Sequence, residues 1–570
     1  MTKRKNFLRY GLRSAAGLVG AAIAAAVVGF LCIVPLPNFT ATARSQLVTP
    51  TPTDQRLICP GSIADVLTLN GDATSFGAVG VPEYVTSERE TSMTQTALSA
   101  PDASSGDSLT QPQQLFAPAP TTDVDPQISG VQSQQAASES ISGLAAAPCG
   151  EASSDAWLVG GSTQTGRTTL LFLANPTEVT ANVTVSVLGE NGWVSGPGSS
   201  GIVVEPASQR IVSLAALAPN VGNPVVRVTS TGGQVVPTLQ HSVVRTLLPD
   251  GVELVAQGAS PSLRLVIPGV RLSGLASQHA SEGGMVTSDR EPAVRVGVPG
   301  EQDAVVTVTA YGVSGKPVAV KSNIPGGSVL ELPFGSLDDG VYTLVVSATH
   351  PVVAAARTIN YADIDPFIAV TPVNTSPNTP ANTPAPSGTG TPQGRGEPTP
   401  SSNGSPRLTS TAERQVTGAS RAQTASLVYD EGDQAQDVYL APPGENLQQD
   451  GSGALALLVG GDFTWNVSSL PVLGETLVSV SSGPNPTLTI FNSQKNDVTI
   501  RLSEGDRSLP DVTIPAYGVR AVPLSPRARY VLSSEVAVYA AVNYAGKGLG
   551  ASAPLSPGSP LGSGIMVFPR

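Results

Sequence analysis

Alternation of apolar and polar residues is the main structural signal in this chain. In the stretch "ANVTVSVLG", Val183, Val185 and Val187 fall on one face of an extended segment, and Thr184 and Ser186 fall on the other. This two-residue period indicates a half-buried β-strand, because a helix would space its apolar residues three or four positions apart. The preceding run "TLLFLA" is predicted to be a second strand, joined to the first by a turn at "NPTEVT".

The same order of elements recurs twice more, in "AVRVGVPGEQDAVVTVTAYGVSG" and in "PTLTIFNSQKNDVTIRLSEGD". After each hairpin come a proline-containing strand and a further strand pair, which a tyrosine opens in the second and third copies (Tyr342 and Tyr530). A spacing of roughly 100 residues suits a sandwich of about seven strands and exceeds the ~20–50 residues of a solenoid repeat. The pattern therefore predicts an all-β chain of three tandem immunoglobulin-like β-sandwich domains.

A basic leader and an apolar run open the chain. Residues 1–14 carry five cations and no acid, and residues 15–36 contain "AAGLVGAAIAAAVVGFLCIV". The run is long enough to cross a hydrocarbon core of ~30 Å, and the basic flank predicts a cytoplasmic leader. We therefore expect a single N-terminal transmembrane helix or uncleaved signal anchor in the cell membrane, with the C-terminal bulk extracytoplasmic. The alternative is secretion after cleavage near Ala43, where "ATA" supplies small residues.

The composition of the remaining residues predicts a polar N-terminal region, a linker and three sandwich domains. Residues 37–150 are mostly polar and are predicted to be largely disordered, apart from a strand near 55–60. The Thr/Pro/Ser-rich residues 371–425 are predicted to form an extended linker. The three sandwiches are then expected at residues 151–258, 259–370 and 426–570. Two "LVGG" runs, each near a tryptophan, are predicted to be matching entry strands of the first and third sandwiches, with glycines that allow a close backbone approach.

Two of the three cysteines are candidates for a disulfide. Cys32 lies inside the apolar run, which leaves Cys59 in "LICPGS" and Cys149 in "APCGEA". Two thiols on the oxidising side of a membrane are more typical of a disulfide than of a metal site, which needs three or four ligands. We predict that Cys59 and Cys149 pair and hold the "QRLICPG" strand on the first folded domain.

Composition also excludes several classes of protein. The chain has a net charge of -12, 59 glycines, 50 prolines and only 13% charged residues. So many glycines and prolines argue against coiled coils and helical solenoids. An acidic chain would repel nucleic acid, so no nucleic-acid partner is expected.

The sequence contains little that resembles catalytic or metal-binding machinery. Its three histidines, His241, His279 and His350, are far apart and are each expected to make only local hydrogen bonds. No nucleophile elbow, phosphate-binding loop or zinc-protease motif is present, so we expect no catalytic, cofactor or metal site. Paired aspartates offer too few oxygen ligands for calcium, and the pair before Gly340 is typical of a hairpin turn. The pairs are Asp123 with Asp125, Asp338 with Asp339, and Asp363 with Asp365.

Three tryptophans are the main aromatic candidates for ligand contact. Trp193, in the loop-like "GENGWVSGPG", is the candidate glycan contact. Trp157 and Trp465 are expected to lie in the core.

Four motifs give the chain a resemblance to a known family: "LICPG", "C...AWLVGG", "LANPT" and "SLRLVIPGV". Together they resemble an uncharacterised actinobacterial family of membrane-anchored extracellular proteins, over most of residues 59–569. Some members carry the label "large extracellular alpha-helical protein", which the strand alternation contradicts. Members are often encoded near cell-envelope glycosyltransferases, so the resemblance implies an envelope role; it carries over no catalytic or binding residue.

These observations lead to three ranked hypotheses on function. The first is a non-enzymatic, membrane-tethered extracytoplasmic scaffold or adaptor of the cell envelope, whose partner is an envelope protein or a cell-wall polymer. The second is a cell-wall glycan-binding module. The third is an enzyme with an unrecognised site.

Overall fold

Nearly all of the described chain is β-structure, which confirms the predicted all-β class. The computed structural model describes residues 19–23, 25–26, 46–48, 54–66, 76–103, 109–119, 127–245, 248–273, 291–334, 337–360, 461–546, 548–557 and 565–567. Residues 19–23 and 25–26 are helical, and one short helix, α1 (Leu214–Leu217), lies among the strands. In the part of the chain that the structure describes, no helix has both the length and the apolar character to cross a bilayer.

Two compact units make up the chain. One comprises Met1–Thr51 and Leu561–Arg570, and in it β1 (Gln46–Val48) pairs antiparallel with β35 (Ile565–Val567). The other unit is Pro52–Pro560 and contains the remaining strands. The predicted leader at 1–14 and linker at 371–425 lie outside the described residues, as does most of the apolar run at 15–36.

In residues 37–150, a region predicted to be largely disordered, the residues that the structure describes form β-sheets. They form a four-stranded sheet in the order β10-β2-β7-β6, a three-stranded sheet β5-β8-β9 and a pair β3-β4. The strands are β2 (Gln55–Cys59), β3 (Ala64–Val66), β4 (Phe76–Ala78), β5 (Glu83–Arg89), β6 (Thr94–Ala97), β7 (Gln113–Ala117), β8 (Gln127–Ala137), β9 (Ser142–Pro148) and β10 (Gly150–Glu151).

Buried glutamines explain why this region looks polar and still folds. Gln132 is fully buried, and its amide both accepts from the Gly61 N–H (2.9 Å) and donates to the Gly61 carbonyl (2.7 Å). Gln240 makes the same two bonds to Ala64, at 2.7 and 2.6 Å. Gln134 accepts from the Ile63 N–H at 2.9 Å. Each amide thus pairs with the main chain as a neighbouring strand would, and the buried polar atoms are satisfied.

The first copy of the repeated pattern confirms the alternation in the sequence. Its sheets run β11-β17-β13-β14, with β15 beside β13, and β16-β12-β18-β19. Val183, Val185 and Val187 are buried, whereas Thr184 and Ser186 are half-buried. The strands are β11 (Asp155–Val159), β12 (Arg167–Asn175), β13 (Ala181–Gly189), β14 (Gly192–Val194), β15 (Ile202–Val204), β16 (Ser208–Ser213), β17 (Val225–Gly232), β18 (Val236–Arg245) and β19 (Leu248–Val255).

In the second copy, one long strand replaces the predicted strand pair. The strands are β20 (Ser262–Leu272), β21 (Ala293–Val298), β22 (Ala304–Gly312), β23 (Val318–Ile324), β24 (Ser328–Pro333) and β25 (Gly340–Asn360). The first half of β25 pairs with β20 and β22, and its second half pairs with β21. In the first copy, Gly232 has a positive φ of 82° and is followed by Gly233. This conformation interrupts the extended backbone, so two separate strands, β17 and β18, form there.

The third copy also contains a long shared strand, β33. Its first half pairs with β27 and β29, and its second half with β28 and β34. The strands are β27 (Val472–Ser479), β28 (Thr487–Phe491), β29 (Val498–Glu504), β30 (Arg507–Ser508), β31 (Val512–Ile514), β32 (Val519–Pro523), β33 (Arg529–Gly546) and β34 (Leu549–Pro554).

The second "LVGG" run does not lead into the third sandwich, so its predicted role was wrong. The strand that follows it, β26 (Asp462–Val467), pairs antiparallel with the second half of β25 and thus joins the sheet of the second copy. All six residues of β26 are buried. A strand covered on both faces has no alternation from which its neighbours could be predicted.

Both predicted strand-opening tyrosines bond to nearby main chain. The Tyr342 hydroxyl donates to the Asp338 carbonyl at 2.8 Å, and the Ser525 N–H donates to the Tyr530 hydroxyl at 3.0 Å. A tyrosine bonded to the backbone a few residues upstream is a feature of immunoglobulin-like domains.

Equivalent asparagines support the relation between the first and third copies. Asn175 donates to the carbonyls of Val179 (2.8 Å) and Val204 (3.0 Å). Asn492 donates to the carbonyls of Asn496 (2.8 Å) and Ile514 (3.1 Å). Asn175 ends β12 and Asn492 directly follows β28, and both are fully buried. Each amide therefore connects a turn to a later strand by hydrogen bonds.

We predict that Asn175→Ala lowers the free energy of unfolding by about 2–4 kcal/mol, because it leaves two buried carbonyls without their donor. Urea unfolding of the full chain measures the loss. Asn182→Ala, at an exposed position on β13, is the control and should change stability by less than about 0.5 kcal/mol. Equal effects of the two substitutions would contradict the assigned role.

Candidate functional site

The predicted disulfide is present. Cys59 and Cys149 are bonded, with Cα atoms 4.1 Å apart and a sequence separation of 90 residues. Both are buried, together with Leu57 and Leu115. The bond lies beside the short ladder between β2 and β10, and it links the last residue of β2 to the residue between β9 and β10.

Trp193 lies on the short strand β14, rather than in the loop that its sequence suggested, and its side chain is 42% exposed. It contacts Trp157 edge-on, with ring centroids 6.2 Å apart. Trp157 is buried, as expected, and the Arg227 guanidinium lies 5.3 Å from its ring centroid. Arg227 also donates to both carboxylate oxygens of Asp155, at 2.9 and 2.7 Å, and these bonds raise the pKa of Arg227. An exposed aromatic ring beside a fixed ion pair can bind a polar ligand with an apolar face.

The histidines occupy different environments. His241 is buried on β18; its Nδ1 accepts from Trp465 Nε1 at 3.2 Å, and its ring centroid lies 4.8 Å from that of Phe463. His350 is half-buried, with its Nδ1 2.8 Å from the Asp303 carbonyl. His279 and the pairs Asp123–Asp125 and Asp363–Asp365 lie outside the described residues. Among the residues that are described, no three His, Cys, Asp or Glu side chains are grouped to hold a metal ion.

Trp465 is a core residue, as expected, and lies near two buried arginines. The guanidinium of Arg295 is 4.6 Å from its ring centroid and that of Arg357 is 5.6 Å away. Glu331 accepts from Arg295 at 2.8 Å and from Arg357 at 3.1 Å. Burial by itself would raise the pKa of Glu331, but the two arginines outweigh that effect and hold it below its usual range. The cluster therefore consists of two buried guanidinium groups that share one carboxylate.

Arg295 also connects the second copy to the first. It donates to the carbonyls of Gly161 and Pro224, at 2.8 and 3.0 Å. A Cβ atom at Gly160 would lie 3.3 Å from the Trp465 ring, so the first "LVGG" run does provide the expected close approach. Burial lowers the pKa of Arg295, and Glu331 opposes that shift.

A buried carboxyl group, Asp462, lies where four strands meet. Its Oδ2 accepts from the N–H groups of Leu144 on β9 (2.8 Å) and Gly550 on β34 (3.1 Å). Its Oδ1 accepts from Phe463 on β26 (3.0 Å) and Val252 on β19 (3.3 Å). Burial nevertheless raises the pKa of Asp462 to about 8, because desolvation penalises the charged form more than the bonds favour it.

Glu253 is a second fully buried acid close to Asp462. Its Oε1 accepts from the N–H groups of Ala146 (3.1 Å) and Leu254 (3.0 Å). Burial, and then repulsion by Asp462, raise the pKa of Glu253 well above its usual range. The two acids thus join β9, β19, β26 and β34 through main-chain bonds; we call Asp462 and Glu253 the acid pair.

An open cleft in the described chain, with a cavity volume of about 390 Å³, is a further candidate binding site. It lies beside the disulfide and is lined by parts of β2, β8, β10, β18 and β27. Its lining combines apolar residues with hydroxyl and amide side chains, and the carboxyl group among them belongs to Glu151. Desolvation raises the pKa of Glu151. A volume of this size falls within the range of small-ligand and peptide sites.

A family model described as "Family of unknown function (DUF5719)" matches residues 103–392, just over half of the chain. The chain belongs to the DUF5719 family. The comparison with curated proteins found no match, and the comparison with solved structures found none either.

The DUF5719 match includes Cys149, the whole Trp193 surface and the three charged residues around Trp465, but Cys59, Asp462 and Trp465 lie outside it. The disulfide and the hydrogen bonds of Asp462 to Leu144 and Val252 therefore connect DUF5719 residues to segments outside the matched region.

Sequence reasoning missed the buried charges. A usable signal was present, since Arg295 in "VRVGV", Glu253 in "VELV" and Glu331 in "LELP" are single charges within apolar strands. Such a charge on a buried strand must be paired or hydrogen-bonded. The sequence does not show which partner it takes.

We predict that stability falls as pH rises from about 4 to about 8. In that range an unfolded Asp462 has lost its proton while the folded residue retains it, so the folded state binds more protons and each pH unit costs ~1.4 kcal/mol. Glu253 adds to the slope in the same direction, and the contribution of Asp462 levels off above pH ~8.

Urea unfolding of the full chain across this range measures the slope. Asp462→Asn should reduce it by about 1 kcal/mol per pH unit, although the amide also lowers stability at every pH because its NH₂ group faces backbone donors. Asp511→Asn, at an exposed position, is the control and should leave the slope unchanged. If Asp462→Asn leaves the slope unaltered, the raised pKa of Asp462 is not the cause of the pH dependence.

Proposed function

We propose that this DUF5719 protein is a non-enzymatic scaffold or adaptor of the cell envelope. It is tethered to the membrane by the apolar run at residues 15–36, with its C-terminal bulk extracytoplasmic. The basic leader, the resemblance to membrane-anchored actinobacterial proteins and the Cys59–Cys149 disulfide support this location. Its partner is an envelope protein or a cell-wall polymer.

The observation that carries the proposal is the way buried ionisable side chains join separate β-regions. Asp462 bonds to β9, β19 and β34, and Arg295 bonds to carbonyls of the first copy. Buried polar groups held by several hydrogen bonds are costly to separate, so such contacts favour fixed relative positions within Pro52–Pro560. A rigid arrangement of sandwiches suits a protein that presents surfaces to partners.

We infer that the three copies are immunoglobulin-like sandwiches, preceded by the N-terminal β-region. The shared long strands β25 and β33, the equivalent asparagines and the two bonded tyrosines support this interpretation. In such an arrangement β26 would bring the chain back to the second copy before the third begins.

A second candidate function, cell-wall glycan binding, is favoured by the surroundings of Trp193. Its exposed ring lies beside Trp157, and Arg227 and Asp155 supply a charged donor and an acceptor at the same surface. Sugars combine apolar ring faces with hydroxyl groups, which such a surface can contact.

The tethered scaffold predicts that the C-terminus is extracytoplasmic. Alkaline phosphatase fused after Arg570 is expected to be active in intact cells, and a green fluorescent protein fused there should not fluoresce after export through the general secretory route. Replacing the five leader cations by glutamine is the control, since it removes the charge bias that sets orientation. A fluorescent fusion with inactive phosphatase would overturn the proposed location.

Glycan binding predicts that Trp193→Ala weakens co-sedimentation of the full chain with purified cell-wall polysaccharide by roughly tenfold or more, since stacking on one aromatic residue contributes about 1–2 kcal/mol. Tyr517→Ala, which removes a similarly exposed aromatic residue (40%) from the third copy, is the control. Binding that is absent or unaffected by Trp193→Ala would leave the scaffold as the sole proposed function.

A further inference from the structure

The cleft beside the disulfide contains the outer edge of a β-strand. Strand β27 pairs with β33, and in the described chain no strand pairs with its other side. Residues Thr476 to Ser479 of β27 line the cleft. A strand edge presents unpaired N–H and C=O groups, which can bind another extended chain.

Two hydrogen bonds show which residues of β27 point outward. The N–H of Val480 donates to Ala528 beside β33, so even-numbered residues direct their main-chain groups toward β33. The carbonyl of Glu475 accepts from the Gln127 side chain at 2.9 Å, so odd-numbered residues direct theirs away from it. Main-chain groups of alternate residues point to opposite sides of a strand, and Leu477 therefore directs its N–H and C=O along the open edge.

Gln127 shows that an amide already binds at this edge. Its Nε2 donates to the Glu475 carbonyl, as the N–H of an added strand would, and it also lines the cleft. The Gln127 Oε1 atom is buried without a hydrogen-bond partner in the described structure. A peptide amide is chemically equivalent to this side chain, so it can make the same bond two residues further along, at Leu477.

Two hydroxyl groups at the cleft support a polar occupant. Thr476 is 2% exposed and Ser469 is 7% exposed, and both belong to the cleft lining. Their side-chain oxygens are buried and have no hydrogen-bond partner among the described residues. Buried hydroxyls are normally satisfied, so these positions indicate hydrogen bonds that a bound molecule or water supplies.

The charge of the lining residues limits the kind of ligand that the cleft can bind. The lining is uncharged apart from Glu151, whose pKa desolvation raises. An anionic ligand would lose its hydration there without an opposite charge, and a cationic ligand would meet only Glu151, whose charged form desolvation disfavours. A neutral peptide backbone has an N–H and a C=O at nearly every residue. It can therefore form hydrogen bonds both with the strand edge and with the hydroxyl and amide side chains of the lining.

We propose that this cleft binds an extended, uncharged peptide segment of a partner protein, which adds as a strand to the outer edge of β27 at Leu477. This deepens the proposed scaffold function, on which it rests, by assigning it a protein partner. Main-chain bonds to the edge supply affinity, and the hydroxyl and amide side chains of the cleft contact alternate side chains of the peptide.

The test uses the full chain in a non-ionic detergent and a pool of uncharged peptides of about seven residues, the length of an ordinary strand. In the pool, Ser or Thr alternates with Val, Ile, Leu or Ala. A matched pool carries N-methyl groups on alternate amides, in both registers, which removes the donors and keeps the side chains. We expect roughly tenfold stronger retention of the unmethylated pool, since losing one or two edge hydrogen bonds costs about 1–2 kcal/mol.

A photoreactive residue in the retained peptides locates the site, and mass spectrometry should find crosslinks at Gln127 or within residues 476–479. Thr476→Val, which keeps the shape and removes the unsatisfied hydroxyl, should weaken retention severalfold. Thr499→Val on β29, whose side chain is exposed, is the control. Circular dichroism and thermal unfolding confirm that both variants fold.

Equal retention of the two pools, or crosslinks away from the cleft, would overturn the proposal. Binding of a neutral linear oligosaccharide that Thr476→Val weakens, without peptide retention, would overturn it in favour of a glycan. These outcomes are independent of the C-terminal fusions, so an extracytoplasmic chain that fails to retain peptides refutes the site alone. A cytoplasmic C-terminus refutes the location alone.

Discussion

The carboxyl group of Asp462 is the contact on which the arrangement of the second unit depends most. Its two oxygens accept N–H groups from β9, β19, β26 and β34, and Leu144 and Gly550 are far apart in the chain. Gly143 and Gly251 leave the space that the acid and Phe463 need, because a Cβ atom at either would lie within 2.6 Å of them. The group is buried, so its bonds are strong and its removal would leave several backbone donors unsatisfied.

Elsewhere in the same unit, polar side chains form hydrogen bonds with main-chain groups that a neighbouring strand would otherwise satisfy. The amides of Gln132, Gln134 and Gln240 pair with the main chain of residues 61–64, and Arg295 bonds to carbonyls of the first copy. A buried peptide group must be hydrogen-bonded, and a side-chain amide or guanidinium can satisfy it where no strand fits. The interior therefore contains many polar atoms, although most of its strands are rich in valine and alanine.

The two candidate surfaces differ in how the fold creates them. The Trp193 surface is formed by neighbouring strands of one sheet, so it requires only the first copy. The cleft lies between strands from the N-terminal region and from the first and third copies, so it requires their relative positions. Contacts such as those of the acid pair thus support the cleft indirectly, because they hold its walls together.

The sequence by itself determined the β-class, the inward positions of strands such as β13, the Cys59–Cys149 pair and the core positions of Trp157 and Trp465. These features follow from local periodicity, from the small number of cysteines and from the cost of exposing large apolar side chains. Only the tertiary structure decided that β26 joins the second copy, that Asp462 meets Leu144 across 318 residues, and that glutamines order the N-terminal region. Hydrogen-bond partners brought together by packing leave no periodic trace in the sequence, because a buried polar residue takes whichever main-chain group the fold places beside it.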